Sequence, residues 1–348
     1  MVSLTSGSTS RLNGRTNIIP QCPDAVRRLY SPIPLPDSTS PITPVFSDTS
    51  AAEAGPSNLR LRVVYGAIGA VLLLGSVWFS PWTFGLFFAF VQTVMLWEFY
   101  RMMRVGRLHP AGGIGIGLGL LVFVGTFWFA RIGYGLSGES ATALDAFFNV
   151  INGLYLRLLW TGLAVLVPVI LLLREMMLWP RYASPFGNAG AVLIGVFYIS
   201  VPMALLSLLA QGGNGYDYRR IFALLFLIWA SDIGAYAAGK AFGKRKLAPT
   251  ISPGKTWEGW AGGFLLTLIV GWALQFMLPD MPLVHRLVAA GVVAVFGPLG
   301  DLAESMLKRS VGVKDSGSIM PGHGGLLDRF DAFLLVLPVL AVLQLLVG

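Results

Sequence analysis

Residues 286–300 read R-L-V-A-A-G-V-V-A-V-F-G-P-L-G and residues 332–347 read A-F-L-L-V-L-P-V-L-A-V-L-Q-L-L-V. Between them lies D-L-A-E-S-M-L-K-R-S-V-G-V-K-D-S-G-S-I-M-P-G-H-G-G-L-L-D-R-F-D, residues 301–331. Each flank is apolar enough to enter a bilayer, and the cassette they enclose is dense in charge although only 12% of the chain is charged. Charge beside lipid is expensive, so a concentration of it at a membrane face points to function. Lysines and arginines neutralise phosphate oxygens while carboxylates hold a hard cation, so the mixture predicts a metal-assisted phosphate site.

Working outward, the chain repeats the apolar flank many times. Its 348 residues are 55% hydrophobic, with a mean hydropathy of +0.70. This predicts an all-α fold, a polytopic membrane helical bundle. Nine spans are expected, near 61–79, 82–97, 112–131, 158–173, 189–210, 221–239, 261–278, 286–300 and 332–347. Gly113, Gly115, Gly117 and Gly119 in the third predict close helix packing. Residues 1–58 are rich in Ser, Thr and Pro and read as a disordered tail without a signal-peptide core, so no cleaved signal is expected. Residues 59–220 then form a packing region and 221–348 the catalytic region.

With the tail in the cytoplasm, twenty of the 25 Lys and Arg residues fall on the inner side of such a nine-span chain. This bias predicts a cytoplasmic N-terminus and puts loops 240–260 and 301–331 on the inner face together. The formal charge of +8 is thereby read as membrane-flanking charge, and nucleic acid is not an expected partner. Cys22 is the only cysteine, which excludes an intrachain disulfide and a cysteine metal cluster.

Continued helix past Gly300 places Asp301, Glu304, Ser305 and Lys308 on one face, and Asp328 and Asp331 are three apart where the last span begins. Carboxylates from two helix ends can therefore meet one cation. His323 stands among glycines that let backbone approach a phosphate, and either fixes that loop or touches the phosphate. In the other loop Gly254-Lys255-Thr256 imitates a nucleotide-binding P-loop. Pro249 occupies the position where that motif requires glycine, so the P-loop reading is rejected. Asp232, inside the sixth apolar segment, needs a partner or a metal.

Ser305, Leu307, Lys308, Arg309, Lys314, Asp315, Gly317, Pro321, His323, Gly324, Gly325, Asp328, Arg329, Phe330 and Asp331 together resemble the signature of the phosphatidate cytidylyltransferase family. Met320 departs from that signature's usual Leu, Ile or Phe. Upstream, Asp232, Tyr236, Lys240, Lys244, Ser252, Lys255, Thr256 and Glu258 also resemble the family, with Ile233 where a small hydroxyl residue is common. The resemblance covers about residues 230–335. It implies transfer of the cytidylyl group of CTP to phosphatidic acid, giving CDP-diacylglycerol and pyrophosphate.

The resemblance further implies Mg²⁺ on Asp301 and Asp328, with K⁺ as a possible second ion, and a homodimer in the inner membrane. Lys308, Arg309, Lys314, Asp315, His323, Arg329 and Asp331 are the expected catalytic residues. Asp232, Tyr236, Lys240, Lys244, Ser252, Lys255, Thr256, Glu258, Ser305, Gly324 and Gly325 are expected to bind substrate. Two other classes fit the charge pattern, a CTP-dependent membrane lipid kinase and an ion-coupled transporter.

Overall fold

The computed structural model describes residues 56–135, 143–213, 215–317, 319 and 324–347. The expected tail falls outside them up to residue 55; residues 56–58 open the first helix, with Pro56 at its first position, where the missing N–H has no intrahelical role. The helices are α1 (Pro56–Phe79), α2 (Pro81–Val105), α3 (Gly112–Gly135), α4 (Ala143–Leu178), α5 (Pro185–Gly195), α6 (Val201–Leu209), α7 (Tyr218–Phe242), α8 (Trp257–Ala273), α9 (Leu283–Ser310) and α10 (Leu327–Val347). A π-helical turn, Val196–Ser200, joins α5 to α6 into one span.

The chain is a polytopic helical membrane protein. Among the described residues eight helical segments are long and apolar enough to cross a bilayer, and they match eight of the nine expected spans. The remaining span, at 61–79, lies in α1, whose apolar part Val63–Phe79 is shorter. Among the described residues, extended strand forms two hairpins. β1 (Gln211–Gly212) pairs antiparallel with β2 (Gly215–Tyr216), and β3 (Lys246–Ala248) with β4 (Ser252–Thr256).

Ser80 opens α2 by accepting from Trp82 N (3.0 Å), with Pro81 at the first position. From there Phe84, Phe88, Val91, Met95 and Phe99 recur every three or four residues and are buried throughout. This stripe is the spine of the core, and Phe88 meets Phe330 of α10 edge-on, with ring centroids 6.1 Å apart. The α3 glycines divide by face. A Cβ on Gly115 would collide with the Tyr100 ring and one on Gly119 with Leu96 and Ser200, whereas Gly113 and Gly117 face open space. Two of the four predicted glycines thus seat neighbours, and Tyr100 completes its fit by donating to Val192 O (3.1 Å).

Helices α7 to α10 pack so that their ends meet. Gly234 of α7 abuts the Gly262 carbonyl of α8, too closely for a Cβ. Pro298 cannot donate to Ala294 O within α9, and Trp260 Nε1 of α8 takes that carbonyl instead (3.1 Å). Two residues on, a Cβ at Gly300 would lie 2.6 Å from the Asp331 carbonyl oxygen. The missing side chain lets α10 cross α9 at this point and brings Asp331 beside Asp301.

Candidate active site at the α9–α10 junction

Asp301, Glu304 and Asp331 each place a carboxylate oxygen within 4.8 Å of the other two. Asp301 accepts from Ser305 Oγ (3.2 Å) and pairs with Lys255 Nζ (2.5 Å). That ammonium also donates to Pro298 O (3.2 Å), a carbonyl near the helix kink, so β4 delivers its one positive charge to the acids. Glu304 is fully buried; its Oε2 lies 2.5 Å from Lys308 Nζ, its Oε1 receives no hydrogen bond among the described residues, and its carboxyl group also interacts with that of Asp328. Asp331 accepts from Ala332 N (2.7 Å). Asp232 of α7 interacts electrostatically with Asp301 and Asp331, so acids of three helices share one field.

Like charges at 4.8 Å repel by about 3 kcal/mol per pair at an effective dielectric of about 20. Lys255 and Lys308 offset part of this. An all-oxygen set with one buried, unpartnered carboxylate oxygen has the chemistry a hard divalent cation takes. The donors fit such an ion.

Asp328 is placed differently from expectation. It lies one turn before Asp331, outside this trio, and its oxygens are engaged by the protein. Lys308 Nζ (2.6 Å), Ser316 N (3.1 Å), Ser316 Oγ (3.0 Å) and Gly325 N (2.9 Å) all donate to it. Gly324, just before, has φ +80°, a conformation that glycine adopts without strain and that turns the Gly325 amide onto the carboxylate. Lys308 stands between Glu304 and Asp328 and links the two groups.

Beneath this knot is a residue the sequence reading passed over. Glu98 of α2 is fully buried and accepts from Leu326 N (3.2 Å) and Leu327 N (2.8 Å), and it shares with Asp328 the one hydroxyl proton of Ser316, whose Oγ is 3.2 Å away. It caps α10 across 229 residues of sequence, supplying the acceptor that orphan N–H groups require and an anion at the positive end of the helix. Side chains on Gly317 and Gly325 would run into it. The second expected span ends at residue 97, one short of it; a lone glutamate in that apolar run was the available signal. Tyr198 was missed too: on the π-helical turn, its hydroxyl lies in the field of Glu304 and Asp331.

Loop 240–260 is more ordered than its composition suggests. The sixth span extends to Phe242, so Lys240 sits on the last turn of α7, its Nζ 5.9 Å from the centre of the Tyr236 ring. Gly254-Lys255-Thr256 lies within strand β4, not in a loop between strand and helix, which agrees with rejecting the P-loop. Thr256 caps α8 by accepting from Gly259 N (3.1 Å). Glu258 accepts from Lys244 N (3.0 Å) and Arg245 N (3.1 Å), tying the start of the hairpin to the helix. Ser252 is half-buried at the other end of the β3–β4 register.

Of the remaining expected residues, Lys314, Asp315 and Arg329 are exposed in the segment that joins α9 to α10 and at the start of α10, and Arg309, also exposed, donates to Val313 O (3.3 Å). Three of these four exposed side chains are cationic. His323, with Pro321, lies outside the described residues.

A family model described as "Cytidylyltransferase family" matches residues 60–347. Among curated proteins, the chain is similar to the phosphatidate cytidylyltransferase of Bacillus subtilis, 33% identical over 285 residues, 81% of this chain and 96% of that protein. It is likewise similar to the phosphatidate cytidylyltransferase of Haemophilus influenzae, 31% identical over 291 residues, 80% of this chain and 96% of that one. That of Staphylococcus haemolyticus is 42% identical over 159 residues, 45% of this chain and 60% of that protein.

Proposed function

Because the chain belongs to the cytidylyltransferase family, we propose that it transfers the cytidylyl group of CTP to phosphatidic acid, giving CDP-diacylglycerol and pyrophosphate. The observation that carries this reading is the family match over residues 60–347, which includes every acid and base of the junction. The reaction needs positioning and charge neutralisation more than proton transfer. A lipid phosphate monoester, with a second pKa of about 6, is already a nucleophile near neutral pH.

Asp301, Glu304 and Asp331 hold magnesium in this reading, supported by their donor chemistry and convergence. The ion, when bound, neutralises charge on the phosphates of CTP. Asp328 aims Lys308 rather than joining the metal ligands. Lys255 and Lys308 stand nearest the acids, while the exposed Arg309, Lys314 and Arg329 contact phosphate oxygens in this reading. Asp232, Tyr236 and Lys240 lie along the α7 wall.

The Lys/Arg bias supports placing this face in the cytoplasm, with the protein in the inner membrane. A homodimer belongs to the same reading on the strength of the family resemblance, and crosslinking in native membranes tests it.

Purified protein given CTP labelled at the α-phosphate is expected to label phosphatidic acid, with magnesium required and ATP, GTP and UTP inactive. Label entering lipid from the γ-phosphate instead would identify a lipid kinase. Solute flux in proteoliposomes without nucleotide turnover would identify a transporter.

A further inference from the structure

The N-terminal ends of α7 and α9 border a cavity of about 940 Å³. Helix α7 rises about 37 Å from that end to its catalytic end, so the cavity lies toward the opposite membrane face. No residue of the junction lines it.

Its polar wall carries more cations than it can pair. Arg219 is held by Asp217 (2.9 Å) and approached by Asp280 (3.7 Å). Arg220 makes no hydrogen bond or ion pair among the described residues. Arg286 is the decisive group, at 6% exposed. Its Nη1 donates to Leu278 O (3.2 Å), its Nε has no partner, and no carboxylate pairs with it among the described residues. A guanidinium so far removed from water calls for an anion, because the uncompensated charge is strongly destabilising. Two further features favour an anion in the same place. Helix α9 begins at Leu283 without a side-chain cap, and the positive ends of α7 and α9 both border the cavity.

The cavity is also lined by apolar side chains, among them Leu224, Leu227, Leu274, Leu340 and Leu343. Cations and leucines lining one cavity match an amphiphile with one anionic head. Inorganic phosphate would satisfy the arginines but leave the leucines against water. We propose that this cavity binds an anionic glycerophospholipid from the leaflet opposite the active site, its phosphate on Arg286 and Arg220 and an acyl chain along the leucines. This site does not depend on the proposed reaction.

Native mass spectrometry of the detergent-purified full chain tests it, with dioleoylphosphatidylglycerol, dioleoylphosphatidylcholine and inorganic phosphate as separate probes. Phosphatidylglycerol is expected to bind at least about tenfold more tightly than phosphatidylcholine, a difference of about 1.4 kcal/mol. Arg286→Gln is expected to remove that preference, and Arg220→Gln to weaken it severalfold. Leu343→Trp, which fills space among the leucines and leaves the arginines in place, should also lower retention and covers the case in which Arg286→Gln does not fold. These variants should keep cytidylyl transfer, whereas Asp301→Asn should keep lipid retention, so the two readings fail separately. Equal affinity for the two lipids, equal retention by wild type and all three variants, or displacement of phosphatidylglycerol by equimolar inorganic phosphate would each overturn the proposal.

Discussion

Asp328 and Asp331 lie one helical turn apart and end in opposite circumstances. Asp328 has a lysine and three other donors on its carboxylate, and its neighbours Ser316 and Gly325 also meet Glu98. Asp331 faces Asp301 and Glu304, with its described donor on the next residue of its own helix. The first arrangement spends its charge on holding the loop and Lys308 in place; the second leaves negative charge only partly offset by Lys255 and Lys308. Two acids of one short motif therefore serve different ends, one locking the scaffold and the other offering oxygen to a cation. Partners, and not residue type, decide which.

The largest expected effect comes from breaking the locked side. Asp328→Ala takes one of two carboxylate partners from the mostly buried Lys308 ammonium, leaving Glu304, and removes the acceptor for two amides and a hydroxyl. We expect a loss of about 3–5 kcal/mol of stability, read as a lower thermal unfolding midpoint, together with loss of activity that added magnesium does not restore. Asp331→Asn attacks the other side. It should cut cytidylyl transfer by about 10²–10³-fold while leaving the unfolding midpoint near that of wild type, and raise the magnesium concentration needed for half-maximal rate. Should Asp328→Asn shift the magnesium requirement and Asp331→Asn leave it unmoved, the roles are exchanged and Asp328 is the metal ligand.

Chelation sharpens the contrast further. Removing divalent ions with EDTA should abolish transfer in wild type without unfolding it, because the lock contains only protein groups. Glu98→Gln comes next. It replaces an anionic acceptor by an amide that can turn only one oxygen toward three donors, and is expected to destabilise by about 1–3 kcal/mol with the magnesium dependence unchanged. Smallest is Lys314→Gln, at an exposed side chain. It should raise the KM for CTP a few-fold at low salt, an effect that fades at high ionic strength, and leave stability unaltered.

Much of this molecule is legible along the chain. Apolar runs long enough for a bilayer, alternating with charged loops, specify the helices because unpaired backbone groups are not tolerated in lipid. The spacing Asp301, Glu304, Ser305 and Lys308 specifies one helical face, and the structure keeps all four on it. Glu98 was not legible in the same way. Its partners Ser316, Leu326 and Leu327 are more than 200 residues distant, and no local period announces such a contact. The exchange of Asp328 for Asp331 in the acid cluster was equally hidden, since both share a helix face and either spacing would serve.

What the sequence by itself determined is the set of helices and the shortlist of charged groups that meet at their ends. These follow from local rules, the period of a helix and the cost of charge in hydrocarbon. Only the tertiary structure decided which acid would be tied down and which left open. That choice turns on Gly300, where an absent side chain lets two helices touch, and on Glu98, which reaches the loop from the far end of the chain. Both act through contacts between segments remote in sequence, and such contacts exist only once the chain has packed.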